Sequence, residues 1–378
     1  MSESVTLLVG TSKGLFLIDS DGARQDWRLS GPFCDGWPVN HATGDPKTGT
    51  IWAAAGGEWQ GVAVWKSPDH GASWSHAQLS NGMMDDFLAK DENFRKMLGR
   101  GPNPDAPFKG QINAIWVITK IGGTLYAGAR PATLLASRDE GATWEKVDGL
   151  TKHPSAEGWE PGGAGLVLHT ILGEGDKLLV AISAAGVFAS EDGGQTWERR
   201  NRRTNQATTP DPMTGDYGQE IGFCVHNIAR SADGNTLYMQ NHQGVFRSRD
   251  EGRSWDEINE GLPSTFGFPV AAHPQDNDTL YVLPLSEWGG RTPLDGKATV
   301  WRSRKAGEGW EPMRSGLPDN AFFTVLRQAM ATDKARQAGI YFGTNSGSVF
   351  ASVDDGETWT EIARHLPTVL GVEVMHRL

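Results

Sequence analysis

Cysteine is almost absent from this chain: residues Cys34 and Cys224 are the two in 378. Two thiols cannot build a disulfide framework, and nothing in their spacing suggests a paired-cysteine metal site. No apolar run approaches the roughly 18–20 residues of a membrane-crossing helix. The opening MSESVTLLVG has neither a basic stretch nor the apolar core of a secretion signal. The expectation is a soluble protein of a reducing compartment, the cytoplasm. Positive charge is also in deficit, with 35 Lys and Arg against 46 Asp and Glu, a net charge of −11. A chain so acidic is a poor match for nucleic acid or an anionic membrane surface, which need a concentrated basic patch. Gly-rich phosphate loops are missing too, because the glycine runs all belong to turns, and no Ser–His–Asp order stands out.

What is abundant is a repeat. The segments SPDHGASW (67–74), SRDEGATW (137–144), SEDGGQTW (190–197), SRDEGRSW (248–255), SRKAGEGW (303–310) and SVDDGETW (352–359) share one order of Ser, Asp, Gly and Trp. The fifth copy has decayed, with Lys305 in place of the Asp. Each copy reads as a tight turn. The Asp side chain accepts backbone N–H groups, the Gly takes a positive φ, the Ser adds a local bond, and the Trp opens the next strand with a large apolar face. Strand pairs such as TLYMQNHQGVFRSRD (236–250) precede the turns. Each unit of about 50 residues therefore predicts four antiparallel strands, A to D, the signature of a propeller blade.

A seventh unit is degenerate: LLVGTSKGLFLIDSDGARQDW (7–27) aligns with IYFGTNSGSVFASVDDGETW (340–359). It lacks a strand A, while VLGVEVMH (369–376) is a strand with no unit of its own. The expectation is one all-β domain over 1–378, a seven-bladed propeller. Its last strand becomes the innermost strand of the first blade and leaves no open edge. Two insertions, at about 79–110 and 200–222, cover the loop face; DDFLAKDENFRKML (85–98) predicts a short amphipathic helix.

The motif resembles the Asp-box (BNR) repeat of sialidases, sortilin-type receptors, xyloglucan-cleaving glycosidases and photosystem II assembly factors. That resemblance implies the propeller fold and places the Asp turns on the face away from known active sites. It does not imply an activity. Sialidase chemistry is disfavoured: the Arg-Ile-Pro motif expected near the start is missing from VGTSKGLF, and of five tyrosines only Tyr217 lies on the loop face.

Function is therefore sought at the strand A starts and the B–C and D–A loops. The strand A starts VNHA (39–42), QINAI (111–115), LHTI (168–171) and VHNI (225–228) place His41, Asn113, His169 and His226 at one register around the axis. An imidazole cluster there is a plausible seat for a divalent transition metal such as Zn, Fe, Mn or Ni, although a lone strand histidine more often just hydrogen-bonds a neighbour. Loops on the same face carry Glu58 with Trp59, Arg130, His242, and Glu287 with Trp288 and Arg291; Glu220 enters ahead of His226. Glu58, Glu220, Arg130 and His242 are the catalytic candidates. Trp59, Asn113, Glu287, Trp288 and Arg291 are the candidates for holding substrate, and His41, His169 and His226 for holding metal. The resulting expectation is a His-lined pocket at the channel mouth, a metal-dependent hydrolase or lyase acting on a small anionic or sugar-like ligand. Two alternatives stay open: a glycoside hydrolase other than a sialidase, and a non-enzymatic binding propeller.

Overall fold

The computed structural model describes residues 4–205, 219–287 and 290–377. Seven four-stranded antiparallel sheets form the ring, each in the order A-B-C-D. Blade 1 takes its strand A from the end of the chain: Val369–Arg377 pairs with Ser4–Thr11 over eight residue partners, from Ser4 opposite Arg377 to Thr11 opposite Val369. The ring is thereby closed by main-chain hydrogen bonds, as the degenerate first repeat predicts.

The turns are built as their residues dictate. In blade 2, Asp69 accepts from the Ser73 N–H (2.8 Å) and hydroxyl (2.5 Å), and Ser67 Oγ accepts from the Gly71 N–H (2.7 Å). Gly71 has φ +87°, a conformation that disfavours any side chain. Asp139, Asp192, Asp250 and Asp354 repeat this geometry. These bonds favour the ionised form: the hydroxyl and N–H of Thr143 and of Thr196 bring Asp139 and Asp192 down to about 2. In the decayed copy Ser303 still accepts from the Gly307 N–H (2.9 Å), so the turn survives without its carboxylate.

Blades pack face to face through the residues that alternate along each strand. Trp255 is wholly buried, and its indole N–H donates to the Arg200 carbonyl (2.9 Å); truncating such a ring to Ala costs about 3–5 kcal/mol. Gly128 allows a close approach between blades, since a Cβ there would lie 2.4 Å from the Leu168 carbonyl oxygen. The degenerate turn of blade 1 makes a different contact. Arg24 reaches buried Asp333 of blade 7 (2.8 Å), which also accepts from Tyr341 Oη (2.6 Å), latching the first blade to the last.

Two expectations need correction. The insertion after blade 2 holds two helices, Met83–Lys90 and Glu92–Leu98, where one was expected. Asp91 divides them, because its side chain accepts from the N–H groups of Asn93 and Phe94 and caps the second helix. Leu88 is buried, whereas Phe87 and Leu98 from the expected apolar side are exposed. The second correction concerns register. Strand A carries a bulge, one extra residue, in blades 2 to 5: at Asn40, Trp116, His169 and His226. His41 is therefore the equivalent of Thr170 and Asn227, one residue beyond the bulge, and Asn113 precedes its strand altogether.

Candidate functional site

The register shift separates the three histidines expected to share a metal. His41 faces the axial channel, a space of about 280 Å³, with Glu373 3.6 Å away and its Nδ1 3.0 Å from the Ile118 carbonyl. His169 is buried, with Nδ1 against Thr170 Oγ1 (2.9 Å) and no partner for Nε2. His226 is also buried, its Nδ1 2.5 Å from the Gly267 carbonyl oxygen. Burial and the nearby Arg327 hold His169 and His226 well below the ordinary imidazole range, so both are neutral at pH 7.

His226 instead meets Cys224 and His242. Cys224 lies just ahead of strand A of blade 5 (Val225–Arg230), so the bulge that buries His226 keeps its Nε2 3.7 Å from the thiol. His242 comes from the tight B–C turn of the same blade, between strands Leu237–Asn241 and Gly244–Ser248. From blade 6, Glu287 brings Oε1 to 3.3 Å from His242 Nε2. These residues line a cleft of about 600 Å³ together with Glu160, Phe223, Phe268, Arg291 and Arg327.

The electrostatics of the cleft are coupled. A hydrogen bond to Cys224 raises the pKa of His242 against the effect of burial, and Glu287 adds to the rise. Burial opposes ionisation of the Cys224 thiol, but bonds to His242 and Ser183 and the charge of Arg327 outweigh it, and its pKa falls below the usual value. The cleft also carries two cations, one of which, Arg327, interacts directly with the Cys224 thiol. Arg291 lies over Phe266 and Phe268 (5.4 and 5.6 Å), and Arg327 over Phe268 (5.2 Å). No carboxylate pairs with either arginine among the described residues, and the enclosed Nε of Arg327 has no hydrogen-bond partner. A partly desolvated guanidinium of this kind is costly unless an anion completes it.

The remaining candidates lie elsewhere. Glu220 forms an ion pair with Arg199 on the surface (2.7 Å). Glu58 lines a separate cleft of about 390 Å³ beside the helical insertion, which Asn113 also lines; Asn113 accepts from Arg130 Nε (2.6 Å). Trp59 packs on Phe87 (5.6 Å between centroids) and is 42% exposed. Trp288 and Tyr217 fall outside the described residues, as does most of the 200–222 insertion. His226, His242, Glu287 and Arg291 are thus assembled with Cys224, Arg327 and Glu160, three residues that sequence reasoning passed over. A usable signal existed for one of them: Cys224 and His226 form a Cys-x-His pair at the start of a strand.

No known protein-family profile matches the chain. It is 26% identical over 250 residues to a xyloglucanase from Paenibacillus sp, covering 61% of this chain and 23% of that protein. To a xyloglucanase from Hypocrea jecorina it is 22% identical over 257 residues, covering 63% and 28%. The chain spans about a quarter of the length of the curated relatives it matches. Among solved structures, the GH74 xyloglucanase from Xanthomonas campestris superposes with a TM-score of 0.61 at 17% identity, over 95% of this chain and 52% of the other. YCF48 bound to D1 peptide superposes with a TM-score of 0.52 at 12% identity, over 86% and 82%. The fold is shared with these solved structures, and the relatives in sequence are xyloglucanases.

Proposed function

We propose that the chain is a glycoside hydrolase of small, anionic sugar substrates, with its reaction centre in the cleft at the mouth of blades 4 to 7. The observation that carries this reading is the pair Arg291 and Arg327, without carboxylate partners, in one cleft with Cys224, His242 and Glu287. The arginines would hold the carboxylate or phosphate of the sugar. Phe223, 43% exposed on the rim with Arg199 over one side, offers an apolar surface to a pyranose ring. The xyloglucanase relatives support the sugar and the hydrolysis, and the two arginines support the negative charge.

Hydrolysis adds water across the glycosidic bond. The water oxygen bonds to the anomeric carbon, the carbon–oxygen bond to the leaving group breaks, and one water-derived proton ends on the departing oxygen. Cys224, His242 and Glu287 form the polar end where water would be activated. Glu160, on the exposed rim, is the carboxyl group available to protonate the leaving oxygen.

The test is hydrolysis of a panel of aryl glycosides and xyloglucan-derived oligosaccharides, each neutral sugar matched to its uronic acid or phosphate. The expected result is turnover that favours the anionic member by at least ~10-fold, with the preference lost in Arg327→Met, as for a charged hydrogen bond removed. Turnover with no preference would overturn the role of the arginines. Binding without turnover would make the propeller a binding module.

A further inference from the structure

Cys224, His226 and His242 are the one set of metal-type ligands that converges among the described residues, with one donor atom from each lying within 4.8 Å of the others. Three features distinguish this cluster from a chance meeting of polar side chains. The first is spacing. The separation of Cys224 Sγ and His226 Nε2, 3.7 Å, matches the edge of about 3.6 Å that follows from tetrahedral Zn–S and Zn–N bonds of ordinary length.

The second feature is the orientation of His226. Its Nδ1 faces the Gly267 carbonyl at 2.5 Å, and a carbonyl can only accept, so the proton resides on Nδ1. The lone pair of Nε2 is left pointing towards the thiol. The third is the surroundings of His242, whose ring is hydrogen-bonded to Cys224 and has Glu287 Oε1 3.3 Å from its Nε2. Metal-bound histidines commonly have their far nitrogen held by a carbonyl or a carboxylate in this way. Here His226 is held so by Gly267 of the neighbouring blade, and Glu287 of that blade stands beside His242.

We propose that Cys224 Sγ, His226 Nε2 and a ring nitrogen of His242 bind a zinc-type divalent cation, leaving its fourth position open to the cleft. A mixed thiolate and imidazole set suits zinc rather than magnesium or calcium, which prefer oxygen. The thiolate and Glu287 offset the charge of the ion, and Arg327 faces the anion that would occupy the open side. The site stands on its own geometry. Its use in catalysis rests on the hydrolase reading, in which such an ion would bring the pKa of a bound water towards neutrality.

The experiment uses the whole chain, stripped with a chelator and titrated with zinc alone in the absence of any sugar. One equivalent of zinc per chain is expected, with affinity falling by about 10- to 100-fold in Glu287→Gln, as for other residues that orient a ligand. Cobalt in place of zinc should give a thiolate charge-transfer band in the near ultraviolet that Cys224→Ser loses. If Cys224→Ser does not fold, Glu287→Gln still decides, because it leaves all three ligands in place. Failure of the native chain to bind zinc overturns the site, as does binding that is unchanged in Glu287→Gln. Because no substrate is present, either failure leaves the glycosidase reading standing. Conversely, zinc binding without sugar hydrolysis would overturn that reading and not the site.

Discussion

The two faces of the propeller are made of the same blades and obey different rules. On the Asp-box face, five turns repeat one set of bonds: carboxylate to hydroxyl, carboxylate to N–H, serine to glycine. On the mouth face equivalent positions disagree, and one cleft gathers charged and ligating side chains from blades 4 to 7. There a Cys, two His, two Glu and two Arg stand where the other blades have no counterpart cluster among the described residues. Repetition marks what every blade needs in order to fold. Where it breaks down, one cleft gathers side chains that no other blade repeats among the described residues. The degenerate turn of blade 1 is the instructive exception, because its Arg24 gave up the common pattern for a latch to Asp333.

The contrast can be tested from the strongest effect downwards. Glu160→Gln should lower kcat by about 10²–10⁴-fold on substrates with poor leaving groups, with KM and thermal stability close to native, as for loss of a general acid. Steady-state kinetics over a leaving-group series checks this; equal loss for all leaving groups would remove Glu160 from that role. Asp333→Ala leaves Arg24 uncompensated in a buried setting and should cost about 3–5 kcal/mol in urea unfolding. Metal and ligand affinity at the mouth should be unaffected below the transition.

The acid limb of stability belongs to the Asp-box face. The bonds from Thr143 and Thr196 hold Asp139 and Asp192 at about 2, below the ordinary aspartate range. Their contribution is therefore fully present above pH ~4 and is lost as the pH falls from there through ~2. Melting temperatures across this window should converge for the native chain and Asp139→Asn/Asp192→Asn, and differ above it. The smallest effect is expected from Trp59→Ala, which packs on Phe87 of the insertion and does not line the mouth cleft. Turnover in the mouth cleft should change less than about 2-fold, within the range of ordinary surface substitutions.

The fold was legible because a repeat states its own architecture: six Trp-terminated turns and one orphan strand suffice to predict seven blades and their closure. The site was legible only in part. His242, Glu287 and Arg291 were found because they lie on loops whose place in the blade follows from the repeat. The expected grouping of His41, His169 and His226 was not met, since a bulge adds one residue and leaves no trace in sequence, yet moves His41 into the channel and keeps His169 and His226 beside the next blade. Arg327 was passed over because its loop precedes a strand A of only three residues (Met330–Thr332), too short to anchor an alignment. Cys224 was discounted by counting cysteines, when its neighbour two residues on was the informative feature.

The central claim, that chemistry resides where the repeats disagree, is tested most directly by comparing turnover of one anionic glycoside in His242→Ala and in Asp139→Asn/Asp192→Asn. The account predicts a kcat/KM reduced by at least ~10²-fold in the first and native in the second wherever the protein is folded. Equal activity in the two variants, or a loss confined to the Asp-box variant, would contradict it.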